Sequence, residues 1–193
     1  MPQLPRHSEG AAAQAPVSEA LLLGDGTEIQ IRPVTPADRA GVAALFSRLS
    51  SESRYRRFLA PKRELTEREL VFFTDVDHLM HEALAAIDQR DGSVVGVARY
   101  VQYIDRPRVA AVAFEVADER QRLGIGMALA QRLLDRARHN GFDRLSATTR
   151  WENIPARALL RHLGFRARVS EGGEIELDLM LGSSQQRDTL PAA

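Results

Sequence analysis

Hydrophobic and polar residues alternate with a period of two in two parts of the chain, which predicts β-strands. Near the start, Ile29 and Ile31 alternate with polar neighbours, and an apolar run at 21–23 precedes the turn residues at 24–26. This pattern predicts a hairpin with one buried face. From Glu82 onward the same period predicts strands at 83–87 and 93–104, a turn at 105–108, and a third strand. Three such strands in succession form an antiparallel meander.

Apolar residues spaced by three and four predict amphipathic helices elsewhere. Thr35 is the expected cap of the first helix, and segment 50–59 is a short helix or a turn. Thr66 and Glu69 form a capping box for a helix that continues through Phe73. Two later helices follow the glycines of 124–126 and the cap Asn153. The apolar stripes are Val42, Leu45, Phe46 and Leu49; Leu129, Leu133, Leu134 and Ala137; and Ala156, Leu159, Leu160 and Leu163.

A strand at 144–149 and a hairpin at 165–181 complete the order, which reads β, α, α, β, β, β, α, β, α, β, β. Such an order predicts a mixed α/β (α+β) domain, in which helices cover a mixed sheet. We assign this domain to residues 20–181. Residues 1–19 are rich in Pro, Ala, Gln, Ser and Gly, and we expect a disordered tail there. Residues 182–193 are expected to form a polar C-terminal tail.

Composition narrows the function classes. The 193 residues contain no cysteine, which excludes disulfides, thiolate metal sites and a cysteine nucleophile. Five scattered histidines do not predict a metal site. The net charge of +0 argues against nucleic acid as a partner. We expect a cytoplasmic protein because no apolar run has membrane-spanning length and no secretory signal is visible. Lys62 is the only lysine among 26 basic residues, an arginine bias that favours a bacterial source.

The stretch Val109–Ala130 combines an apolar strand, the segment Gln121–Gly126 (hereafter the glycine loop) and a helix start. At such a junction several backbone N–H groups and the positive end of the helix dipole converge, which favours phosphate binding. A dinucleotide-binding GxGxxG would need glycine where Leu129 stands, and no lysine follows the glycines as in a nucleotide P-loop. A tight turn that binds nothing is the alternative interpretation.

The glycine loop fits the pattern Gln/Arg-x-x-Gly-x-Gly/Ala and resembles the pyrophosphate loop of the GNAT superfamily of N-acetyltransferases. The meander before the loop and the block from Asn153 to Phe165 match that family as well. The resemblance covers about residues 27–181. Segments such as IRPVTPADR, LTERELVFFTDVDH and VAFEVADERQ further resemble bacterial protein-lysine acetyltransferases and their stand-alone relatives.

The resemblance implies the GNAT fold, a mostly antiparallel twisted sheet splayed at the cofactor site, with acetyl-CoA as co-substrate. It implies that backbone N–H groups of the glycine loop and of Met127 cradle the pyrophosphate, and that Asn153 touches the cofactor. Free backbone groups at Phe114 and Val116 are expected to bind pantetheine and polarise the thioester. The expected cofactor residues are Phe114, Val116, Gln121, Arg122, Leu123, Gly124, Ile125, Gly126, Met127 and Asn153.

Catalysis is predicted less completely than cofactor binding. Relatives often carry a glutamate at the position of Ala111, so the family's base is missing here. Glu115 shares a strand face with Ala111 and Ala113 and is the candidate general base. The alternatives are that Glu115 pairs with an arginine such as Arg99 or faces solvent.

The acid for the leaving thiolate is also missing, because Leu160 stands where many relatives have tyrosine. Water or another tyrosine can serve, and the candidates are Tyr55, Tyr100 and Tyr103. Further open candidates, each with a structural alternative, are His78, His81, Arg54, Arg56 and Arg57.

Taken together, the sequence predicts transfer of an acetyl group from acetyl-CoA to an amine by direct attack in a ternary complex. The acceptor is a protein lysine or a small-molecule amine, no membrane partner is expected, and monomer and homodimer stay open. The rival functions are a non-catalytic acyl-CoA sensor, which the residues Ala111 and Leu160 motivate, and an enzyme for longer acyl chains.

Overall fold

The structure is a computed structural model and describes residues 19–182. The tails predicted at 1–19 and 182–193 lie outside the described residues, apart from Glu19 and Gly182.

Eight strands and five α-helices make up the described chain, together with two short 3-10 turns at Pro36–Asp38 and Asp118–Arg120. The strands are β1 (Glu19–Leu22), β2 (Glu28–Pro33), β3 (His81–Asp88), β4 (Val94–Tyr103), β5 (Arg106–Val116), β6 (Arg144–Arg150), β7 (Arg166–Glu171) and β8 (Glu174–Met180). The helices are α1 (Arg39–Arg48), α2 (Ser51–Phe58), α3 (Glu67–Thr74), α4 (Ile125–His139) and α5 (Ile154–His162).

All eight strands belong to one sheet with the order β1-β2-β3-β4-β5-β6-β8-β7. Every neighbouring pair is antiparallel except β5 and β6, which are parallel and connected through α4. Parallel neighbours require a crossover connection, and a helix is the usual one. The predicted hairpins, the meander and the mixed class are confirmed.

The parallel pair β5–β6 separates partway along its length. The two strands pair only where Val109–Ala111 lies beside Arg144–Ser146. Strand β5 continues to Val116 and β6 to Arg150 without further pairing to each other. Over the same residues β5 stays paired with β4 on its other side. The sheet therefore opens into a gap between β5 and β6, as the resemblance implied.

Two apolar clusters lie on opposite faces of the sheet. Helix α4 packs through Leu129 and Leu133 against residues such as Val95 and Ala98, and Leu160 of α5 belongs to the same cluster. On the other face, residues of α1 and α3 pack against β3 and β4. Because these clusters cover both faces of the sheet, strand β3 is buried at every position.

Local sequence explains the helix starts. Ser50 caps α2 by accepting a hydrogen bond from the Ser53 amide at 3.1 Å, so the short segment is a helix and not a turn. The predicted capping box of Thr66 and Glu69 is present at α3. One predicted turn is longer than the observed one. Arg106 already pairs with Tyr103 beyond a register shift, so β5 begins inside the turn expected at 105–108.

Candidate functional site

A cavity of about 370 Å³, hereafter the first cavity, lies at the gap between β5 and β6. Helix α2 contacts both strands, so its residues form one wall, while the glycine loop and α5 form the others. The lining residues are Leu49, Ser53, Arg56, Arg57, Phe114, Glu115, Val116, Gln121, Arg122, Gly124, Gly126, Met127, Asn153, Pro155, Ala156 and Leu159.

Two residues of the glycine loop with left-handed backbone conformations precede α4, which begins beside this cavity. Arg122 has φ 63° and Gly124 has φ 91°. The amide of Ala128 makes the first hydrogen bond of α4, to the Gly124 carbonyl at 3.0 Å. The amides of residues 125–127 precede that bond and have no acceptor within the helix. Together with the helix dipole they form a site suited to an anion such as phosphate.

Strand β5 turns alternate backbone groups toward the gap. The Ala117 amide, which continues the strand, donates to the Val95 carbonyl of β4 at 2.9 Å. Because antiparallel pairs alternate between bonded and non-bonded positions, the backbone groups of Phe114 and Val116 face away from β4. The Gln121 side-chain amide donates to the Val116 carbonyl at 3.1 Å and thereby ties the glycine loop to the strand end.

Most of the expected cofactor residues line the first cavity. Two do not line it with their side chains: Ile125 is 1% exposed in the core, and Leu123 packs against the same cluster. Their backbone amides still belong to the loop and the first turn of α4. Asn153 lines the cavity and also caps α5, because its side-chain oxygen accepts from the Ala156 amide at 3.3 Å. Both roles that the sequence left open for Asn153 are therefore compatible.

Glu115 lies in the wall of the first cavity between two arginines. Its Oε2 is 3.4 Å from Nε of Arg57, and its Oε1 is 3.8 Å from Nη2 of Arg99. Burial lowers the pKa of Arg99 to about 10, and the Glu115 carboxylate opposes part of that change. The ion-pair alternative for Glu115 is thus present in the structure. Its candidacy as general base stays a prediction.

A second cavity of about 470 Å³ lies on the face of the sheet that carries Ala111 and Ala113. Arg57 lines both cavities, so they meet at this side chain. The second cavity is lined by Arg57, Phe58, Arg68, Glu69, Phe72, Phe73, Arg99, Val101, Ala111, Val112 and Ala113. Ala111 therefore opens onto this cavity and not onto the first.

Helix α2 supplies site residues that the sequence analysis missed or left open. Ser53 was missed, while Arg56 and Arg57 were undecided between a ligand and solvent. Arg54, from the same arginine cluster, instead donates to the carbonyls of Ser47 and Arg63. The arginine density of this segment was the available signal, but it did not show which arginines face the gap.

The other candidates lie away from the first cavity. Leu160 is 3% exposed in the core. Tyr100 is fully buried, accepts from Asn140 and donates to the Leu79 carbonyl. Tyr55 and Tyr103 do not line the first cavity. His78 pairs with Glu82, and burial lowers the pKa of His81 to about 4. Tyr55, Tyr100 and Tyr103 are therefore all absent from the lining of the first cavity.

Within residues 19–182, no group of three or more His, Asp or Glu side chains is arranged to hold a metal ion. None of the helices in that range is both long and apolar enough to cross a membrane.

The fold and the gap are those of an acyl-group transferase, and comparison with known proteins specifies the class. The acetyltransferase (GNAT) family matches residues 45–165, and the chain belongs to this family of acetyltransferases. Acetyltransferase PA5475 of Pseudomonas aeruginosa is 32% identical over 145 residues, which cover 74% of this chain and 77% of that protein.

Two further relatives resemble the predicted subfamily. Acetyltransferase Pat of Mycolicibacterium smegmatis is 31% identical over 139 residues, but this chain spans only 41% of its length. The crystal structure of the GNAT domain of PAT from S. lividans superposes with a TM-score of 0.78 at 27% identity, over 84% of this chain and 96% of that one. The resemblance to the GNAT domain of bacterial acetyltransferases, including those named Pat and PAT, is confirmed.

A fourth similarity concerns the fold alone. The structure of yncA from Salmonella typhimurium with its cofactor acetyl-CoA has a TM-score of 0.67 at 19% identity, over 84% of this chain and 99% of that one.

Proposed function

We propose that this acetyltransferase uses acetyl-CoA and transfers the acetyl group to an amine. One observation carries the proposal: the free amides of the first turn of α4 and the unpaired edge of β5 converge on a single cavity. Phosphate fits the amides, and an extended pantetheine chain fits backbone groups of a strand edge that pair with no neighbouring strand, namely those of Phe114 and the Val116 amide. The Val116 carbonyl already accepts from Gln121. The structure of yncA with acetyl-CoA, on the same fold, supports this choice of donor.

The glycine loop would hold the pyrophosphate. The amides of Ile125, Gly126 and Met127 have no acceptor within α4, and the side chain of Arg122 is exposed at the same place. At Gly126 an added Cβ would lie 3.8 Å from both Leu159 and Val116, across the mouth of the cavity. We assign the same binding role to Gln121, which fixes the loop to β5 through Val116.

The strand edge would hold and polarise the thioester. Backbone groups of Phe114 and Val116 face the gap, and donors fixed before the reaction stabilise the developing oxyanion without reorganisation. Acetyl-CoA supplies a thioester, whose acetyl group passes to the amine nitrogen while the sulfur is released as a thiol. Direct transfer is the simple mechanism, since the chain has no cysteine to carry an acetyl group.

The amine must lose a proton during the transfer. An alkyl amine with a pKa near 10.4 is mostly protonated at neutral pH, so a base is useful. Glu115 lines the first cavity and is the candidate that receives this proton, directly or through water. Leu160 is buried and has no acidic proton to donate, so the proposal assigns the protonation of the leaving sulfur to water.

The acceptor is a protein lysine or a small-molecule amine in this proposal. The bacterial relatives support a bacterial source, and we retain a cytoplasmic location, a monomer or homodimer, and no nucleic-acid or membrane partner as parts of the same proposal. The second candidate function is a non-catalytic acyl-CoA sensor. The pairing of Glu115 with two arginines and the burial of Leu160 are the observations that favour it.

Calorimetry with acetyl-CoA, run beside a thiol-release assay with a broad panel of amines, tests the proposal. We expect saturable binding and release of CoA that depends on the amine. Binding without turnover on any amine would favour the sensor, and absence of binding would contradict both functions. Donors with longer acyl chains, measured in the same assay, separate an acetyltransferase from an enzyme for larger acyl groups.

A further inference from the structure

The second cavity carries a positive charge that residues around it do not balance. Arg57 and Arg99 both face Glu115, at 3.4 Å and 3.8 Å, so two guanidinium groups share one carboxylate. Neither contact is a hydrogen bond. Nε of Arg57 and Nη2 of Arg99 are buried and have no hydrogen-bond partner among the described residues. Buried cations are ordinarily paired, and buried N–H groups are ordinarily hydrogen-bonded.

Arg99 is held rigidly in this position. Its residue is 3% exposed, its Nη1 donates to the Phe73 carbonyl at 3.2 Å, and its Cζ lies 4.1 Å from the centre of the Phe73 ring. These contacts with Phe73 fix the guanidinium plane. They do not involve Nη2, which lies 3.8 Å from Glu115 without a hydrogen bond. A preorganised arginine of this kind suits a planar carboxylate.

The remaining ionisable groups at the second cavity do not supply the missing anion. Glu69 is bound to Lys62 at 2.7 Å and to the capping Thr66. Arg68 is exposed and has no ion pair within the described part of the chain. His81 stands on the neighbouring strand beside Val101, and its low pKa keeps it neutral near pH 7. The excess of positive charge therefore persists at neutral pH.

We propose that the second cavity is the acceptor site and that it takes an amine that also carries a carboxylate, as an amino acid does. The inference rests on the proposed function. The acceptor's carboxylate binds Arg57, Arg99 and Arg68, and its hydrocarbon part lies against Phe72 and the small residues Ala111 and Ala113. Its amine points to the junction of the two cavities at Glu115. Polyamines and lysines within basic peptides would be repelled by the same arginines.

Matched pairs of acceptors test this directly in the thiol-release assay. The panel contains amino acids, the amides of the same amino acids, the decarboxylated amines, and lysine-containing peptides. We expect kcat/KM to be about 10- to 100-fold higher for each free acid than for its amide, the range of a hydrogen bond to a charged group. Equal rates for acids and amides, or turnover of lysine peptides alone, would overturn the inference while the proposed function stands. No turnover on any amine would remove both.

Two variants separate the second cavity from the donor site. Arg68→Gln should raise KM for carboxylate acceptors about two- to fivefold, as for an exposed ion pair, and leave the Kd of acetyl-CoA unchanged. Arg63→Gln, an exposed neighbour that does not line the cavity, is the control and should match wild type. Arg99→Lys keeps the charge but loses the planar fork, and we expect the acid-over-amide preference to fall. If Arg68→Gln and Arg99→Lys both retain the acid-over-amide preference of the Arg63→Gln control, these arginines do not bind the carboxylate.

Discussion

Nε of Arg57 lies 3.4 Å from Oε2 of Glu115, and this ion pair joins helix α2 to strand β5 beside the gap in the sheet. The Arg57 side chain is 15% exposed and that of Glu115 is 8% exposed. Since Arg57 lines both cavities, the pair forms part of the partition between them. A carboxylate at this partition can reach an amine that approaches from the second cavity. The same carboxylate also holds α2 against the sheet.

Glu115→Gln separates these two roles. We expect kcat to fall by about 10²–10⁴, the usual contribution of a general base, while the Kd of acetyl-CoA stays the same. Thermal stability should also fall, because the change leaves Arg57 and Arg99 without a charged partner. The pH profile of kcat/KM and a thermal melt measure the two effects separately.

Glu119→Gln is the control, since Glu119 is exposed and pairs with Arg48 outside both cavities. If the Glu115 variant melts earlier but keeps a near-wild-type kcat at every pH, Glu115 is an ion-pair partner and not the base.

The arrangement around Glu115 shows where sequence reasoning succeeds and where it stops. The face shared by Ala111, Ala113 and Glu115 follows from the two-residue period of a strand, and the structure has it. Arg99, which the sequence analysis gives as an example of a partner for Glu115, lies on the neighbouring strand of the meander. Arg57 was not named as a partner, because its contact depends on how α2 crosses the gap. No periodicity encodes the angle at which a helix lies on a sheet.

The glycine loop shows the same division. The loop and the start of α4 were predictable, because glycines after a strand and before an apolar stripe indicate a turn into a helix. The loop motif does not indicate that the side chains of Leu123 and Ile125 point into the core. Burial of these side chains depends on where α4 packs, and Ile125 belongs to the cluster beneath the helix. The second cavity was also unpredicted, since it is formed by residues from α2, α3, β4 and β5.

Gly124→Leu should abolish acetyl-CoA binding and leave the fold intact. Gly124 has φ 91°, a backbone conformation that residues with a side chain rarely adopt. A Cβ added there would have no neighbour within 4 Å. The cost is therefore backbone strain of about 1–2 kcal/mol and loss of the loop geometry, without a steric clash. Calorimetry measures the affinity and circular dichroism the fold.

Gly92→Leu is a matched control, because Gly92 also has a positive φ, 71°, and open space, but lies in the turn between β3 and β4. Both variants should lose similar stability. Unchanged acetyl-CoA affinity of the Gly124 variant would contradict the assignment of the donor site.

Gly96 of β4 lies beneath the first turns of α4, and Gly96→Ala should weaken acetyl-CoA binding by displacing that helix. A Cβ at Gly96 would lie 3.1 Å from Leu129 Cδ1 and 3.3 Å from Ile125 Cγ2. It would also lie 3.2 Å from the Glu115 carbonyl oxygen of β5, so both the first turn of α4 and strand β5 have to shift by a few tenths of an ångström. The free amides of α4 move with that turn. Overpacking of this kind costs about 1–3 kcal/mol.

Gly41→Ala provides the comparison, since its Cβ would lie 2.5 Å from Val94 Cγ2, on a helix far from the glycine loop. Both changes should lower the melting temperature, but only the change at Gly96 should raise the Kd of acetyl-CoA. An equal effect on Kd would mean that the position of α4 does not set the affinity.

His81→Leu should make the protein less sensitive to acid. Burial, followed by the charge of Arg99, lowers the pKa of His81 to about 4, against 6.5 for an ordinary histidine. As pH falls, the imidazole of His81 becomes protonated in the unfolded chain before it does so in the folded protein. His81 therefore contributes stability above pH 6.5 that is lost as pH falls toward 4. Its Nε2 is buried without a hydrogen-bond partner in the described chain, so leucine leaves no polar group unsatisfied. Urea unfolding at two pH values measures the change.

The exposed His162 offers a control, because His162→Leu should keep the acid dependence of the wild type. If His81→Leu loses as much stability between neutral pH and pH 4 as the wild type does, the buried imidazole is not the source of acid sensitivity.

His78→Asn should show the opposite pH dependence. The Nδ1 of His78 lies 2.6 Å from the buried carboxylate of Glu82, and this hydrogen bond raises the pKa of His78 above 6.5, although burial opposes it. The stabilisation is therefore complete below pH 6.5 and is lost as pH rises through the raised value. Asparagine accepts the left-handed backbone of His78, φ 58°, and Glu82 keeps Arg136 at 3.2 Å. The difference in unfolding free energy between wild type and variant should be largest below pH 6.5 and shrink toward alkaline pH. A difference that stays constant over this pH range would show that folding does not raise the pKa of His78.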